Sequence, residues 1–337
     1  MNRNSWIKGG KVAVLVCVSL LAVLGLIGVL ATGQRPAFAS SSIVSQRPAI
    51  TIDTIAYSRF ISATSGHEAR FVNIDGSNDV SITIGWRPRI SPDNNFIAFH
   101  HDGTYPSGLG DNIYVKDLAT QTITRVTNNS DYIVSSNWST DSQHIFFDDS
   151  CTIYRINPDG SNAINLTNNH NCYDDAPSVN PASGRIAFHN QFSGLYTMNT
   201  DGSNIQHIAN TQANDWLALW SWDGQWLSFL RGANYYKIRP DGSGLTQLTF
   251  SNAVITGIND YNPAVPWSGA PWSSDDSSVI APRTVNGIQG IYAIATDGSG
   301  AMTLILPSEA GTWVDSVGTV VGNPIVIRQV YLPLIMK

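Results

Sequence analysis

The sequence predicts an all-β protein, a six-bladed β-propeller. Three observations carry that expectation. Asp-Gly followed by Ser recurs at Asp75-Gly76, Asp159-Gly160, Asp201-Gly202, Asp241-Gly242 and Asp297-Gly298. Between these turns lie short runs of β-branched and aromatic residues, too short for helices. Charged residues make up 13% of the 337-residue chain, about half of the roughly 25% usual in globular proteins, so long amphipathic helices have too few Lys, Glu and Arg to cover them.

The glycines of the Asp-Gly pairs are spaced 84, 42, 40 and 56 residues apart. The first interval is two periods. A copy that has lost its Gly is therefore expected at Asp117-Leu118-Ala119-Thr120, and the last interval carries an insertion, Asn252 to Ser268. A period near 42 residues is the size of one four-stranded blade.

Each copy opens on a polar turn, as in Asn137-Trp138-Ser139-Thr140-Asp141, Trp220-Ser221-Trp222-Asp223 and Pro271-Trp272-Ser273-Ser274-Asp275. A short apolar run follows, such as Phe96-Ile97-Ala98-Phe99 or Ile145-Phe146-Phe147. Being apolar on both faces, it must be covered on both sides, as radially stacked sheets do. An aromatic strand then leads into Asp-Gly, for example Ile153-Tyr154-Arg155-Ile156 or Leu195-Tyr196-Thr197-Met198. Asp-Gly supplies the positive φ of a tight hairpin turn. A last strand such as Ile164-Asn165-Leu166-Thr167 closes the copy.

The apolar second strand occurs six times, from Ile55-Ala56-Tyr57 to Val279-Ile280-Ala281, whereas the first strand occurs only five times before residue 280. Thr312-Trp313-Val314-Asp315-Ser316 is expected to supply the sixth, so that the C-terminal strand completes the first blade and closes the ring. If Pro324 to Val330 forms a further strand, the count becomes seven.

Residues 1–39 read as a separate object. Arg3, Lys8 and Lys11 precede an uncharged run from Val12 to Ala31, and Ala37-Phe38-Ala39 stands before Ser40. This is the pattern of a secretory signal peptide. The run is also long enough to span a bilayer, so an uncleaved N-terminal anchor is the alternative. Residues 40–52 form a short linker and residues 53–337 the propeller. Either way the expected location is extracytoplasmic: secreted, periplasmic or cell-surface. A membrane is met only through the N-terminal segment.

Residues 1–39 hold four of the 19 Lys and Arg and none of the 25 Asp and Glu, leaving 15 basic against 25 acidic side chains. Nucleic acid is excluded as a partner, because its recognition rests on clustered positive charge. Only Cys151 and Cys172 remain outside the leader. In an oxidising compartment a disulfide between them would close the base of a hairpin, worth about 3 kcal/mol in the chain-entropy model. Two free thiols are the alternative.

Taken together, Trp-Ser-x-Asp, the apolar strand, Ile-Tyr-x-Met/Ile-Asn-x-Asp-Gly-Ser-Asn and Leu-Thr resemble the TolB-like propeller repeat. Ile153–Asn162 and Leu195–Asn204 match best, and the resemblance covers about residues 53–316. It implies a bare propeller outside the cytoplasm that works by binding other proteins, without the TolB N-terminal domain or a peptidase domain. A protein partner in the cell envelope is the expectation, with a polysaccharide as the second possibility, and the chain is expected to be a monomer.

Strand direction puts the loops after the second and fourth strands on one face. That face should gather His100, His101, Asp102, Asp148, Asp149 and His189, with the aromatic residues Tyr132, Tyr173, Trp216, Tyr261 and Trp267 as binding anchors. His100, Asp148 and His189 follow equivalent strands. His and carboxylate suit a divalent transition ion, and some polysaccharide lyases on propellers use histidines around a metal. The alternative function is therefore a metal-assisted carbohydrate-active enzyme with a site in the funnel. The expectation without it is no cofactor. The sequence has no Gly-x-Ser-x-Gly, His-Glu-x-x-His or phosphate-loop motif, so no catalytic residue is assigned. N-terminal sequencing of the exported product is expected to begin at Ser40; a start at Met1 would reject cleavage.

Overall fold

Each repeat pairs its strands in chain order into one antiparallel sheet, since connections of a few residues leave no other partner in reach. A computed structural model describes residues 54–62, 66–101, 112–128, 133, 135–149, 151–167, 173–250, 271–308 and 313–321. The first blade holds β1 (Thr54–Ser62), β2 (Gly66–Asn73) and β3 (Val80–Ile84); the second β4 (Trp86–Ile90), β5 (Phe96–His101), β6 (Asn112–Asp117) and β7 (Ile123–Arg125). The third holds β8 (Ser136–Trp138), β9 (Ile145–Asp148), β10 (Ile153–Ile156) and β11 (Ile164–Asn165). The fourth holds β12 (Asp174–Val179), β13 (Ile186–Asn190), β14 (Gly194–Met198) and β15 (Gln206–His207). The fifth holds β16 (Asp215–Trp220), β17 (Leu227–Arg231), β18 (Asn234–Ile238) and β19 (Thr246–Gln247). The sixth has β20 (Ser278–Val285), β21 (Ile288–Ala295) and β22 (Met302–Pro307), with Trp272 bridging to Val279 inside them.

The last strand, β23 (Trp313–Val321), returns to pair with β1. The first sheet thus reads β23-β1-β2-β3, and six sheets close the ring as the missing inner strand predicts. The leader, the linker, the 252–268 insertion and the segment Pro324–Val330 lie outside the described residues.

The core is not one cluster but a series of interfaces between neighbouring blades. Successive residues of a second strand point to opposite faces. Ile145 and Phe147 pack with Phe96, Val115 and Ile133 towards the second blade. Phe146 between them packs with Ile186, Phe188 and Met198 of the fourth. The same division puts Ile55 and Tyr57 against Ile280 and Ile291 of the sixth blade, with Ala56 against Ile97 of the second. Within each blade an aromatic of the second strand stacks on the repeat tyrosine of the third. Phe99–Tyr114, Phe147–Tyr154, Phe188–Tyr196 and Phe229–Tyr236 have ring centroids 5.9, 5.3, 5.5 and 5.7 Å apart.

The Asp-Gly turns are built alike. Asp75 Oδ1 accepts from the Ser77 amide and hydroxyl at 2.9 and 2.6 Å, and Asp159 and Asp201 do the same for Ser161 and Ser203. At Asp117, where the Gly is lost, Gln121 takes the positive φ at 63°. The glycines have a second role. A Cβ on Gly160 would stand 2.8 Å from the carbonyl oxygen of Val126 in the preceding blade, and one on Gly242 2.6 Å from that of Ala209. Each turn therefore lies backbone against backbone on its neighbour.

A single substitution separates the two effects. Gly160→Ala meets both the φ of +84° and the Val126 carbonyl, whereas Gly232→Ala meets a φ of +59° with nothing within 4 Å. Urea denaturation is expected to show Gly232→Ala costing about 1–2 kcal/mol, the left-handed penalty alone, and Gly160→Ala clearly more. Equal losses would reject the inter-blade role of the glycine.

Candidate functional site

His100, Asp148 and His189 occupy one equivalent position, directly after the stacked phenylalanine of the second strand. Each reaches across to the next blade. His100 Nε2 lies 2.9 Å from Ser136 Oγ. Asp148 Oδ2 accepts from the Ser135 amide of its own blade at 3.0 Å and the Ala176 amide of the next at 3.1 Å. His189 Nε2 stands 3.4 Å from the Ala213 carbonyl, while Nδ1 pairs with Asp175 at 2.8 Å. In the fifth blade the position is Leu230, packed in the interface with Leu217 and Trp272. These side chains act as clasps between blades. They are not gathered at one point, and among the described residues no group of three or more His, Cys, Asp and Glu stands close enough to hold a metal ion.

Their electrostatics follow from this packing. His100 is fully buried, and burial, followed by the charges of Arg87 and Arg89, holds its pKa well below 6.5. It is a neutral imidazole at physiological pH. For His189 burial works against the charged form, but the hydrogen bond and charge of Asp175, the Ala213 carbonyl and Asp215 outweigh it and raise the pKa. His101 stacks on Trp86 at 6.2 Å and meets Tyr114 edge-on at 5.9 Å. Asp149 Oδ1 accepts from the Cys151 and Thr152 amides and so caps a turn.

Of the expected aromatic anchors, Trp216 is half-buried and packs against the interface of the fifth and sixth blades. Tyr173 is 45% exposed and lies edge-on to Phe192, itself 67% exposed, with ring centroids 4.9 Å apart. The Tyr173 backbone is pinned on both sides. Its amide donates to the Cys151 carbonyl at 2.9 Å, its carbonyl accepts from Gln191 at 3.2 Å, and its φ is +91°. Cys151 is disulfide-bonded; the expected partner, Cys172, lies outside the described residues, as do Asp102, Tyr132, Tyr261 and Trp267.

The opposite end of the axis, where first strands turn into second strands, holds a cavity of about 250 Å³. Its lining includes Trp138, Trp220, Trp222 and Trp272, with Arg89 as its charged residue and no Asp or Glu. The Trp138 indole donates to the Arg89 carbonyl of the preceding blade at 2.9 Å, and Trp272 likewise to Leu219 at 3.0 Å. The equivalent Trp220 Nε1 is buried without a hydrogen-bond partner. Arg89 comes into this position from a bulged strand. In β4, β12 and β16 the pairing slips between Trp86 and Arg89, Asp175 and Ser178, and Trp216 and Leu219. Arg87, Ala176 and Leu217 take left-handed φ of 52–55° inside these bulges.

No protein-family model matches the sequence, and no curated protein matches it. Solved structures do match. The crystal structure of TolB from Acinetobacter baumannii aligns with a TM-score of 0.62 at 18% identity, over 78% of this chain and 66% of that one. The fold is that of the TolB-like β-propellers. A putative TolB from Agrobacterium tumefaciens aligns at 0.51 with 16% identity, over 76% of this chain and 90% of its own. An oligogalacturonate lyase from Vibrio parahaemolyticus aligns at 0.51 with 11% identity, over 72% of this chain and 78% of its own. Such identities speak for architecture. The chain spans just under two thirds of the length of the Acinetobacter protein.

On this TolB-like propeller the sequence reading passed over Phe192, Arg89 and the cavity-lining tryptophans. The tryptophans were taken as markers of the repeat, though their recurrence at one blade end already put indoles around the axis. The signal for Arg89 was a charged residue inside a strand due to be buried, Trp86-Arg87-Pro88-Arg89-Ile90.

The Asp175–His189 pair sets a pH dependence. A histidine whose folded pKa is raised contributes stability that is fully present below the unfolded value of 6.5 and is lost as pH rises through the folded value. Urea midpoints of the wild type are expected to fall as pH climbs from about 6 to about 8. In Asp175→Asn that part of the profile should flatten. An unchanged slope in the variant would reject the coupling.

Proposed function

We propose that this TolB-like propeller is an exported scaffold that binds a protein partner through the face carrying Tyr173 and Phe192. The observation that carries the reading is that aromatic pair, exposed at 45% and 67% on a backbone held by hydrogen bonds and a left-handed φ. Aromatic anchors dominate interface energies, and a rigid presentation lowers the entropic cost of binding. A strained non-glycine residue persists only where its surroundings hold it, and such residues cluster at functional positions. The polar residues of the same face are engaged in clasps and caps, which favours a binding surface over a catalytic one.

Export rests on the signal-like residues 1–39 and is supported by the disulfide at Cys151, a bond characteristic of oxidising compartments. The test is cross-linking from a photoreactive residue at position 192 in envelope extract. One specific protein should be captured, and Tyr173→Ser should reduce its yield about tenfold, a hot-spot effect. Capture unaffected by that change, or turnover of an acidic polysaccharide by the purified chain, would replace the reading.

A further inference from the structure

The axial cavity at the other end of the propeller has a chemistry that the protein-binding reading leaves unused. Five equivalent inner-strand positions contribute to its wall: Arg89, Asn137, Ser178, Leu219 and Pro271. Four are neutral and one is a guanidinium. Arg89 is 4% exposed. Its Nε donates to the Ser136 carbonyl at 3.2 Å, and its Nη1 is buried without a partner. A buried charge ordinarily has a carboxylate beside it, yet the lining holds none.

The second unpaired donor is Trp220 Nε1, buried in the same wall. Its repeat-equivalents Trp138 and Trp272 are both bonded to the preceding blade, so the vacant donor is a departure from the repeat rather than a feature of it. Two buried donors and no acidic side chain call for a ligand with acceptor oxygens and negative charge. Carboxylate fits best, because guanidinium binds it through paired N–H groups. The rest of the wall is indole and proline, suited to a flat or ring-shaped body. The volume, about 250 Å³, lies below the ~300–1,000 Å³ of sites for drug-sized molecules.

We propose that this cavity is a binding site for a small organic carboxylate, its acid group held by Arg89 and Trp220 and its body packed between the tryptophans. Arg89 remains a cation at neutral pH, although burial and the charge of Arg87 bring its pKa down to about 10. A bound carboxylate would relieve that burial and stabilise the fold.

Calorimetric titration and thermal denaturation of the full chain test this with matched probes: benzoate against benzamide for a flat body, and glucuronate against glucose for a sugar ring. At least one acid is expected to bind and raise the Tm, with its uncharged twin about tenfold weaker or worse. Arg89→Met should abolish binding of that acid. Trp220→Phe, which keeps the ring and loses only the N–H, should weaken it severalfold with the Tm of the free protein little changed. If Arg89→Met does not fold, the acid–twin comparison and Trp220→Phe decide alone. Absence of binding by both acids, equal binding of acid and twin, or full affinity in either variant would overturn the proposal. None of these outcomes bears on capture of a partner at position 192, so the two readings fail separately.

Discussion

No sheet of this protein can hide its own faces. Every second strand is apolar on both sides, and each side is covered only by a neighbouring blade. Phe146 needs the fourth blade as much as Phe147 needs the second. The chain therefore has no stable intermediate arrangement with an open ring edge: the first and last blades must meet, and β23 joins them by pairing with β1. Apart from the turns, most other features serve that demand for close, continuous contact around the axis.

Close contact between blades explains features that would otherwise look functional. Where two sheets converge, backbone groups of the inner strands face a neighbour instead of water and need partners. His100, Asp148 and His189 supply them at one end. Ser142 and Asp276 do so at the other, accepting from the backbone of the preceding blade's turn at Asp93 and at Trp222 and Asp223. Burial raises the Asp276 pKa even though two amides point at its carboxylate. A line of His and Asp at strand ends is thus a consequence of radial packing before it is a sign of chemistry.

The parts of this arrangement that were legible in the sequence are those set by local chemistry. Asp-Gly-Ser encodes its own turn, and even the copy without Gly at Asp117 folds into it. Alternation along Ile145-Phe146-Phe147 announces a strand buried on both faces. The absent sixth inner strand announced Trp313. What could not be read depends on who the neighbour is. That Gly160 faces the Val126 carbonyl, or His100 the Ser136 hydroxyl, follows only once the ring is closed. The bulges at Arg87, Ala176 and Leu217 carry three different residues in one left-handed conformation. No side-chain type signals that geometry; the pairing on either side imposes it.

A repeat protein contains its own control experiment, because each position is presented several times in one environment. Positions that agree across blades report what the fold requires: the Phe–Tyr stacks, the Ser-x-Asp turns, the indole bonds of Trp138 and Trp272. Positions that break the pattern without a structural gain report something else. Leu230 in place of a clasp has a gain, since it fills an apolar interface. Arg89 among Asn, Ser, Leu and Pro has none within the chain: it buries a charge beside an unpaired indole N–H and receives one backbone carbonyl in return. A desolvated guanidinium without a counter-ion is a standing cost to folding, and the group able to offset it must come from outside the chain. The departures from symmetry, rather than the histidines that first draw the eye, are therefore where the specific work of this propeller is written.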